Sequence, residues 1–273
     1  MAVVYLIGDP VAHSLSPVMQ NAAFSAMGLP HRYELMRVSE DDLGSAVQRI
    51  RGVDVLGANV TIPHKERIGR YLDAVDETAQ RVGAVNTVFK RAGTLRGDNT
   101  DAGGFADALA EMDVDVRGAR VLLLGAGGAA KACGDQLMTG GARVVSIANR
   151  SRERADALAK ALLTSRGGDP RALGVLGRPP RSLGAFDIVV NATSLGLHGE
   201  DALEGVDLPR QLSVVDVVAT ANETPLIRRA KASGCVAVDG LLMLLHQGAR
   251  ALRLWTGLDA PTAAMRAALP RQV

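Results

Sequence analysis

The stretch Gly125-Ala126-Gly127-Gly128-Ala129-Ala130 constrains the fold more than any other part of the chain. An apolar run, Arg120 to Leu124, leads into it, and a helical pattern from Ala129 to Met138 leads out, closed by Gly140-Gly141. A second apolar run, Arg143 to Ala148, and a second helical pattern, Glu153 to Leu163, follow. Strand, glycine turn, helix and strand make a βαβ unit, which implies a parallel sheet covered by helices. The spacing fits G-x-G-x-x-G/A. The first glycine makes the tight turn, the second lets a pyrophosphate approach the backbone, and Ala130 stands where helix and strand pack closely. The helix N-terminus then presents N–H groups to an anion. A glycine turn alone can be purely steric, but its place between strand and helix predicts a dinucleotide site.

The end of the second strand indicates which dinucleotide. A carboxylate there accepts from a ribose 2′-hydroxyl. This chain has Asn149-Arg150-Ser151-Arg152-Glu153-Arg154 instead. Guanidinium groups pair with phosphate oxygens bidentately, and arginine in the first turn of a helix opposes the helix dipole. The residues therefore predict NADP over NAD.

The remaining strand signals are Val3–Ile7, Arg32–Val38, Val55–Val60, Asp187–Asn191, Ser213–Val218 and Val236–Val238, with an edge strand in the Gly- and Arg-rich stretch Thr164–Arg181. Val85–Phe89 and Thr94–Gly97 read as a hairpin around Arg91-Ala92-Gly93. Helices are predicted over Pro17–Met27, with Ser16 as N-cap, over Glu40–Arg51, over Leu241–Thr256, and after Pro261. The fold class is α/β. An N-terminal α/β domain covers residues 1–100, a Rossmann-type doubly wound domain 101–239, and C-terminal helices, 240–273, return to the first domain.

Composition closes off other classes. With 31 basic and 29 acidic residues, charge does not favour a nucleic acid or a membrane surface. No run approaches the ~18 apolar residues of a membrane span, and the N-terminus carries no leader signal. Cys133 and Cys235, the only cysteines, form neither a disulfide framework nor a zinc site. They read as buried thiols in a cytoplasmic protein, and no metal site is expected.

In the first domain, polar residues interrupt apolar strands at their carboxyl ends. Ser14 and Ser16 lie in the loop before the first helix, able to donate to a carboxylate. Asn59, Thr61 and Lys65 follow the third strand. Only five of the basic residues are lysines, so a loop lysine stands out: an amine can exchange a proton near neutral pH when desolvated, a guanidinium cannot. Asn86 sits in a β-type run and needs a partner or a ligand. Asp98 and Asp101 flank a strand-to-helix junction, where either could cap the helix or orient the lysine. Behind a nicotinamide-type domain, this set describes hydride transfer to or from a hydroxyl-bearing acid.

At these residues the chain resembles the shikimate dehydrogenase family. The matching motifs run in order: Ser14-Leu15-Ser16-Pro17, Asn59 to Lys65, Gly83 to Thr87, Gly97 to Asp101, Gly125 to Ala130, Asn149 to Ser151, Asn191 to Gly196, Thr224 to Leu226, and Gln247-Gly248. The resemblance implies reversible NADP-dependent reduction of 3-dehydroshikimate to shikimate, with Lys65 and Asp101 as the catalytic pair. It implies Ser14 and Ser16 at the substrate carboxylate, and Asn59, Thr61, Asn86 and Gln247 near the ring hydroxyls. Gly125, Ala126, Gly127, Gly128, Ala129, Ala130, Asn149, Arg150, Ser151, Arg154, Thr193, Val217 and Gly240 would hold the cofactor. The implied partner is a small molecule, with no nucleic acid or membrane, and a homodimer is allowed.

Three positions depart from the family pattern. Gln20 replaces a histidine, Ala219 a tyrosine, and Ala221 a proline. None of the three tyrosines, Tyr5, Tyr33 and Tyr71, falls at the position of the missing one. The lost hydroxyl and volume leave open a paralogue acting on quinate or an aminoshikimate-type acid. A non-catalytic NADP-binding regulator is a third reading, opposed by the presence of both Lys65 and Asp101.

Overall fold

The computed structural model describes residues 1–166 and 169–270. Gly167 and Gly168, inside the predicted Gly-rich stretch, and the last three residues of the C-terminal segment lie outside the described residues. The chain packs as two compact units, one of residues 1–104 with 244–273 and one of residues 105–243. The divisions fall inside helices rather than at the ends of elements.

The first unit contains β1 (Val3–Gly8), α1 (Ser16–Ala26), β2 (Arg32–Arg37), α2 (Leu43–Ile50), β3 (Val55–Val60), β4 (Ala74–Val75), α3 (Glu77–Val82), β5 (Thr87–Arg91) and β6 (Thr94–Asp98). Its sheet runs β2-β1-β3-β5-β6-β4. The β2-β1-β3 part is parallel, and β5 and β6 form an antiparallel hairpin beside it. Ala92 and Gly93 both take positive φ, as a twist-matched two-residue turn requires. Ile7, Leu43, Val47, Ile50, Val55, Val60, Val88 and Leu95 pack between the sheet and α2. The helix predicted from Glu40 begins only at Leu43, because Asp41 and Asp42 lie in the turn before it.

α4 (Thr100–Glu111) leads into the second unit: β7 (Arg120–Leu124), α5 (Gly128–Thr139), β8 (Val144–Ala148), α6 (Arg152–Arg166), β9 (Leu173–Leu176), β10 (Ile188–Asn191), β11 (Ser213–Asp216), α7 (Pro225–Ala232) and β12 (Val236–Val238). Every strand pair in the order β12-β11-β10-β7-β8-β9 is parallel. This is the doubly wound Rossmann order, whose ligand crevice lies at the carboxyl ends of β7 and β10, where the winding reverses. Buried Leu122, Leu124, Val189 and Val214 explain why these strands read as continuous apolar runs.

α8 (Gly240–Thr256) and α9 (Thr262–Ala267) close the chain. The Trp255 indole N–H donates to the Val88 carbonyl at 3.0 Å. Gly57 makes room for it, since a Cβ there would lie 2.7 Å from Trp255 Nε1. Gly103 and Gly104 lie within α4 and admit α8. A Cβ on Gly104 would meet the Gln247 main-chain nitrogen at 2.5 Å.

Candidate active site

The first unit gathers Lys65, Asn86, Asp101 and Asn59 into one hydrogen-bonded group. Lys65, in the turn after β3, donates from Nζ to Asp101 Oδ2 at 2.5 Å. Their side chains are 15% and 8% exposed, so the pair is sheltered but reachable. Asn86 Nδ2 donates to Asp101 Oδ1 at 2.8 Å. The two carboxylate oxygens thus have separate donors, which fixes the carboxylate plane.

The sequence left open whether a carboxylate caps α4. The cap is Asn99, whose Oδ1 accepts from the Ala102 N–H at 3.1 Å. Asp98 accepts from the Asn99 N–H, and burial raises its pKa above the usual carboxylate range. Asp101 is therefore free for Lys65.

Ser16 is not the N-cap of α1. Leu15 holds that position, and Ser16 is the first helical residue. Its N–H donates to Ser14 Oγ at 3.2 Å. Pro17, with no N–H, removes one first-turn donor, so Ser14 serves the helix start and the buried Ser16 hydroxyl is released from it. That hydroxyl lies toward Tyr33. Tyr33 is 2% exposed, and its hydroxyl donates to Asn59 Oδ1 at 2.8 Å. Burial holds the phenol protonated, far above its ordinary range. Sequence reading missed Tyr33 because an aromatic residue in a strand looks like core.

Thr61 is half-buried beside Gly8, where a Cβ would lie 2.3 Å from its methyl carbon. Gln247 is buried on α8, and its Nε2 donates to the Leu244 carbonyl at 2.8 Å. Neither is hydrogen-bonded to Lys65 or Asp101. Gln20, at the departure in α1, is fully buried and donates to the Gly248 carbonyl at 2.9 Å, tying α1 to α8.

In the second unit the glycine turn has the predicted form. Gly125 has φ +106°, and a Cβ on it would lie 2.8 Å from the Ala192 carbonyl, so a side chain is excluded. Gly127 is the N-cap of α5, and no side chain caps that helix. A Cβ on Gly127 would have only Arg154 Nη2 nearby, at 3.9 Å. Ala126 and Ala130 are buried, while Gly128 and Ala129 are half-buried. An uncapped helix N-terminus above open space, with a guanidinium alongside, fits a pyrophosphate and a 2′-phosphate. Arg150 and Arg154 are exposed, and neither is ion-paired among the described residues. Asn149 Nδ2 donates to the Ser151 carbonyl. Ser151 Oγ donates to Glu153 at 2.8 Å and accepts from the Arg154 N–H, so it serves the start of α6.

Thr193, Val217 and Gly240 lie around the carboxyl ends of β10 and β11. Thr193 Oγ1 donates to Asn191 Oδ1 at 2.7 Å, and the Val217 N–H donates to the Asn191 carbonyl at 3.0 Å. A Cβ on Gly240 would strike the Val218 carbonyl at 2.4 Å. Sequence reading also missed Asp216. Its carboxylate accepts from Asn191 Nδ2, Thr224 Oγ1 and the Val218 N–H, yet burial outweighs these bonds and raises its pKa to about 6. Among the described residues, no His, Cys, Asp and Glu cluster could hold a metal, and no helix is long and apolar enough to cross a membrane.

Fold and site together define a class: a two-unit α/β protein with a dinucleotide-binding sheet and a sheltered Lys–Asp pair. Comparison with known proteins narrows the class. Residues 6–88 match the shikimate dehydrogenase substrate binding domain, 108–198 the shikimate/quinate 5-dehydrogenase model, and 240–269 the shikimate 5′-dehydrogenase C-terminal domain. Shikimate dehydrogenase (NADP(+)) of Geobacter metallireducens is 46% identical, over 96% of this chain and 93% of its own. Shikimate 5-dehydrogenase of Thermus thermophilus, solved with NADP(H) and shikimate, is 36% identical with a TM-score of 0.86, covering 100% of both chains. Quinate dehydrogenase of Corynebacterium glutamicum, solved with NAD, is 32% identical with a TM-score of 0.85, covering 98% of both chains. The chain belongs to the shikimate dehydrogenase family.

Proposed function

We propose that the chain catalyses the NADP-dependent, reversible reduction of 3-dehydroshikimate to shikimate. The observation that carries this reading is the Lys65–Asp101 pair, held at 2.5 Å with the second carboxylate oxygen taken by Asn86. Relatives named for this NADP-dependent activity across nearly the full chain support it. NADP(H), when bound, supplies or accepts the hydride. In reduction, Lys65 gives a proton from Nζ to the ketone oxygen, and in oxidation it takes the proton from the hydroxyl. Asp101 orients the amine and balances its charge. Ser14 and Ser16 receive the substrate carboxylate, and Asn59, Thr61, Asn86 and Gln247 face the ring hydroxyls. The unit of residues 1–104 and 244–273 acts as the substrate domain, and the unit of residues 105–243 as the cofactor domain. Gly125 to Ala130 hold the pyrophosphate, Asn149, Arg150, Ser151 and Arg154 the 2′-phosphate side, and Thr193, Val217 and Gly240 the nicotinamide side. A cytoplasmic site of action and assembly as a homodimer belong to the same proposal. Cell fractionation reads the first, and sedimentation equilibrium the second.

Ala219, where the family carries tyrosine, favours a second reading: turnover of quinate or an amino analogue through a roomier site. Steady-state kinetics with shikimate, quinate and aminoshikimate, each with NADP and NAD, separate the two. The expected result is preferential oxidation of shikimate with NADP. Undetectable shikimate oxidation beside good turnover of another acid overturns the first reading. Lys65→Ala is expected to cut kcat by about 10²–10⁴-fold with little change in KM; undiminished turnover rules out the lysine's role.

A further inference from the structure

Behind the Lys65–Asp101 pair lies a buried set of hydrogen bonds, and the directions of those at the two asparagines can be assigned. The Asn86 main-chain carbonyl can only accept, so Asn59 Nδ2 donates to it, at 3.2 Å. The second Asn59 N–H donates to Thr87 Oγ1 at 3.1 Å. This leaves Asn59 Oδ1 facing the Tyr33 hydroxyl, which donates to it. At Asn86 the Thr100 main-chain N–H, a donor only, meets Oδ1 at 2.7 Å. Asn86 Nδ2 must therefore face Asp101. Thr87 Oγ1, already accepting from Asn59, donates to Asn86 Oδ1 at 3.0 Å; Thr100 Oγ1, 3.1 Å from Thr87 Oγ1, accepts from the second Asn86 N–H at 3.0 Å and is the longer donor to Oδ1, at 3.2 Å.

The sheet register produces this meeting. Thr87 is the cross-strand partner of Asn59 on β3 and of Asp98 on β6. Thr87 is completely buried, and valine has the same shape and at least equal strand preference. A hydroxyl at such a position is costly to bury unless every bond it makes is used.

We propose that Thr87 is a positioning residue for the reaction: its hydroxyl locks the Asn86 amide, which fixes Asp101 and through it Lys65. It acts through Asn86 and does not touch substrate. The inference rests on the acid–base role proposed for Lys65 and Asp101.

The test is a series at position 87 assayed for shikimate oxidation with NADP. Thr87→Val keeps the shape and loses the hydroxyl. Thr87→Ala and Thr87→Ser differ from each other only in the hydroxyl, so this pair decides the matter if the valine variant does not fold. The expected result is a fall in kcat of about tenfold for Val and Ala, with KM within about threefold, and a Ser variant close to wild type. Equal losses in Ser and Ala assign the effect to the methyl group and overturn the proposal, as does an unimpaired Ala variant. In a Lys65→Ala background, Thr87→Ala should cost nothing further; a repeated tenfold loss there also overturns it. Full activity of Lys65→Ala alone would instead show that the acid–base reading had failed.

Discussion

Replacing Asp216 by asparagine tests whether this buried carboxylate destabilises the second unit. Asp216 ends β11, is 1% exposed and accepts three hydrogen bonds, from Asn191, Thr224 and Val218. An asparagine keeps the two bonds at Oδ1 and turns Nδ2 toward Thr224, whose hydroxyl can accept instead of donate. The charge disappears and the two bonds at Oδ1 survive, while the Thr224 hydroxyl, which already accepts from the Ile227 N–H, gives up its acceptor at every pH alike. The folded-state pKa of Asp216 is about 6, against an ordinary value of 3.8. The folded protein therefore binds this proton more tightly than the unfolded chain does. Between pH 3.8 and about 6 the residue's contribution to stability falls as pH rises, and above 6 the loss is complete. The gap corresponds to about 3 kcal/mol. Relative to wild type, Asp216→Asn should therefore gain about 3 kcal/mol of stability between pH 4 and pH 7. Urea unfolding at pH 4 to 8, read through amide exchange in β10 and β11, measures the difference for this unit. Other titrating groups contribute equally to both proteins and cancel. Curves that run parallel within about 0.5 kcal/mol would refute the reasoning, since the carboxylate would then titrate alike in both states.

Two further outcomes follow from geometry. Arg150→Ala should raise the Kd for NADP by about tenfold more than that for NAD, as measured by calorimetry, because a charge-assisted phosphate contact is lost; equal weakening removes the 2′-phosphate assignment. Gly104→Ala should destabilise the first unit by about 1–3 kcal/mol in chemical denaturation, because the added Cβ meets Gln247 main chain, which cannot rotate away. Unchanged stability would mean that α4 and α8 are less closely engaged than their spacing requires.

What the sequence revealed, and what it hid, follow from how far apart the determining contacts lie. The parallel sheet was legible because its central strands β7, β10 and β11 are buried on both faces and bounded by glycines or polar turns, so local pattern and final environment agree. β4, two residues long, and the short helix α3 were not: the Asp76 N–H donates to Gly97, and the Arg96 guanidinium pairs with Asp76, so these elements rest on contacts about twenty residues away. Lys65 stood out because a lysine is rare in this arginine-rich chain, whereas the residues alone left Asp98 and Asp101 equal and only the resemblance singled out Asp101. The hydroxyls supporting the pair were not legible. Thr87 and Tyr33 are good strand residues wherever their hydroxyls point, and only the pairing of β3 with β5 makes Thr87 a donor to Asn86. Ser14 and Ser16 show the same limit in reverse. The local rule gave the cap to the serine just before Pro17, yet the helix starts one residue earlier and Ser14 takes the free N–H. The Tyr33 hydroxyl is likewise settled by a distant contact, its proton committed to Asn59 on β3.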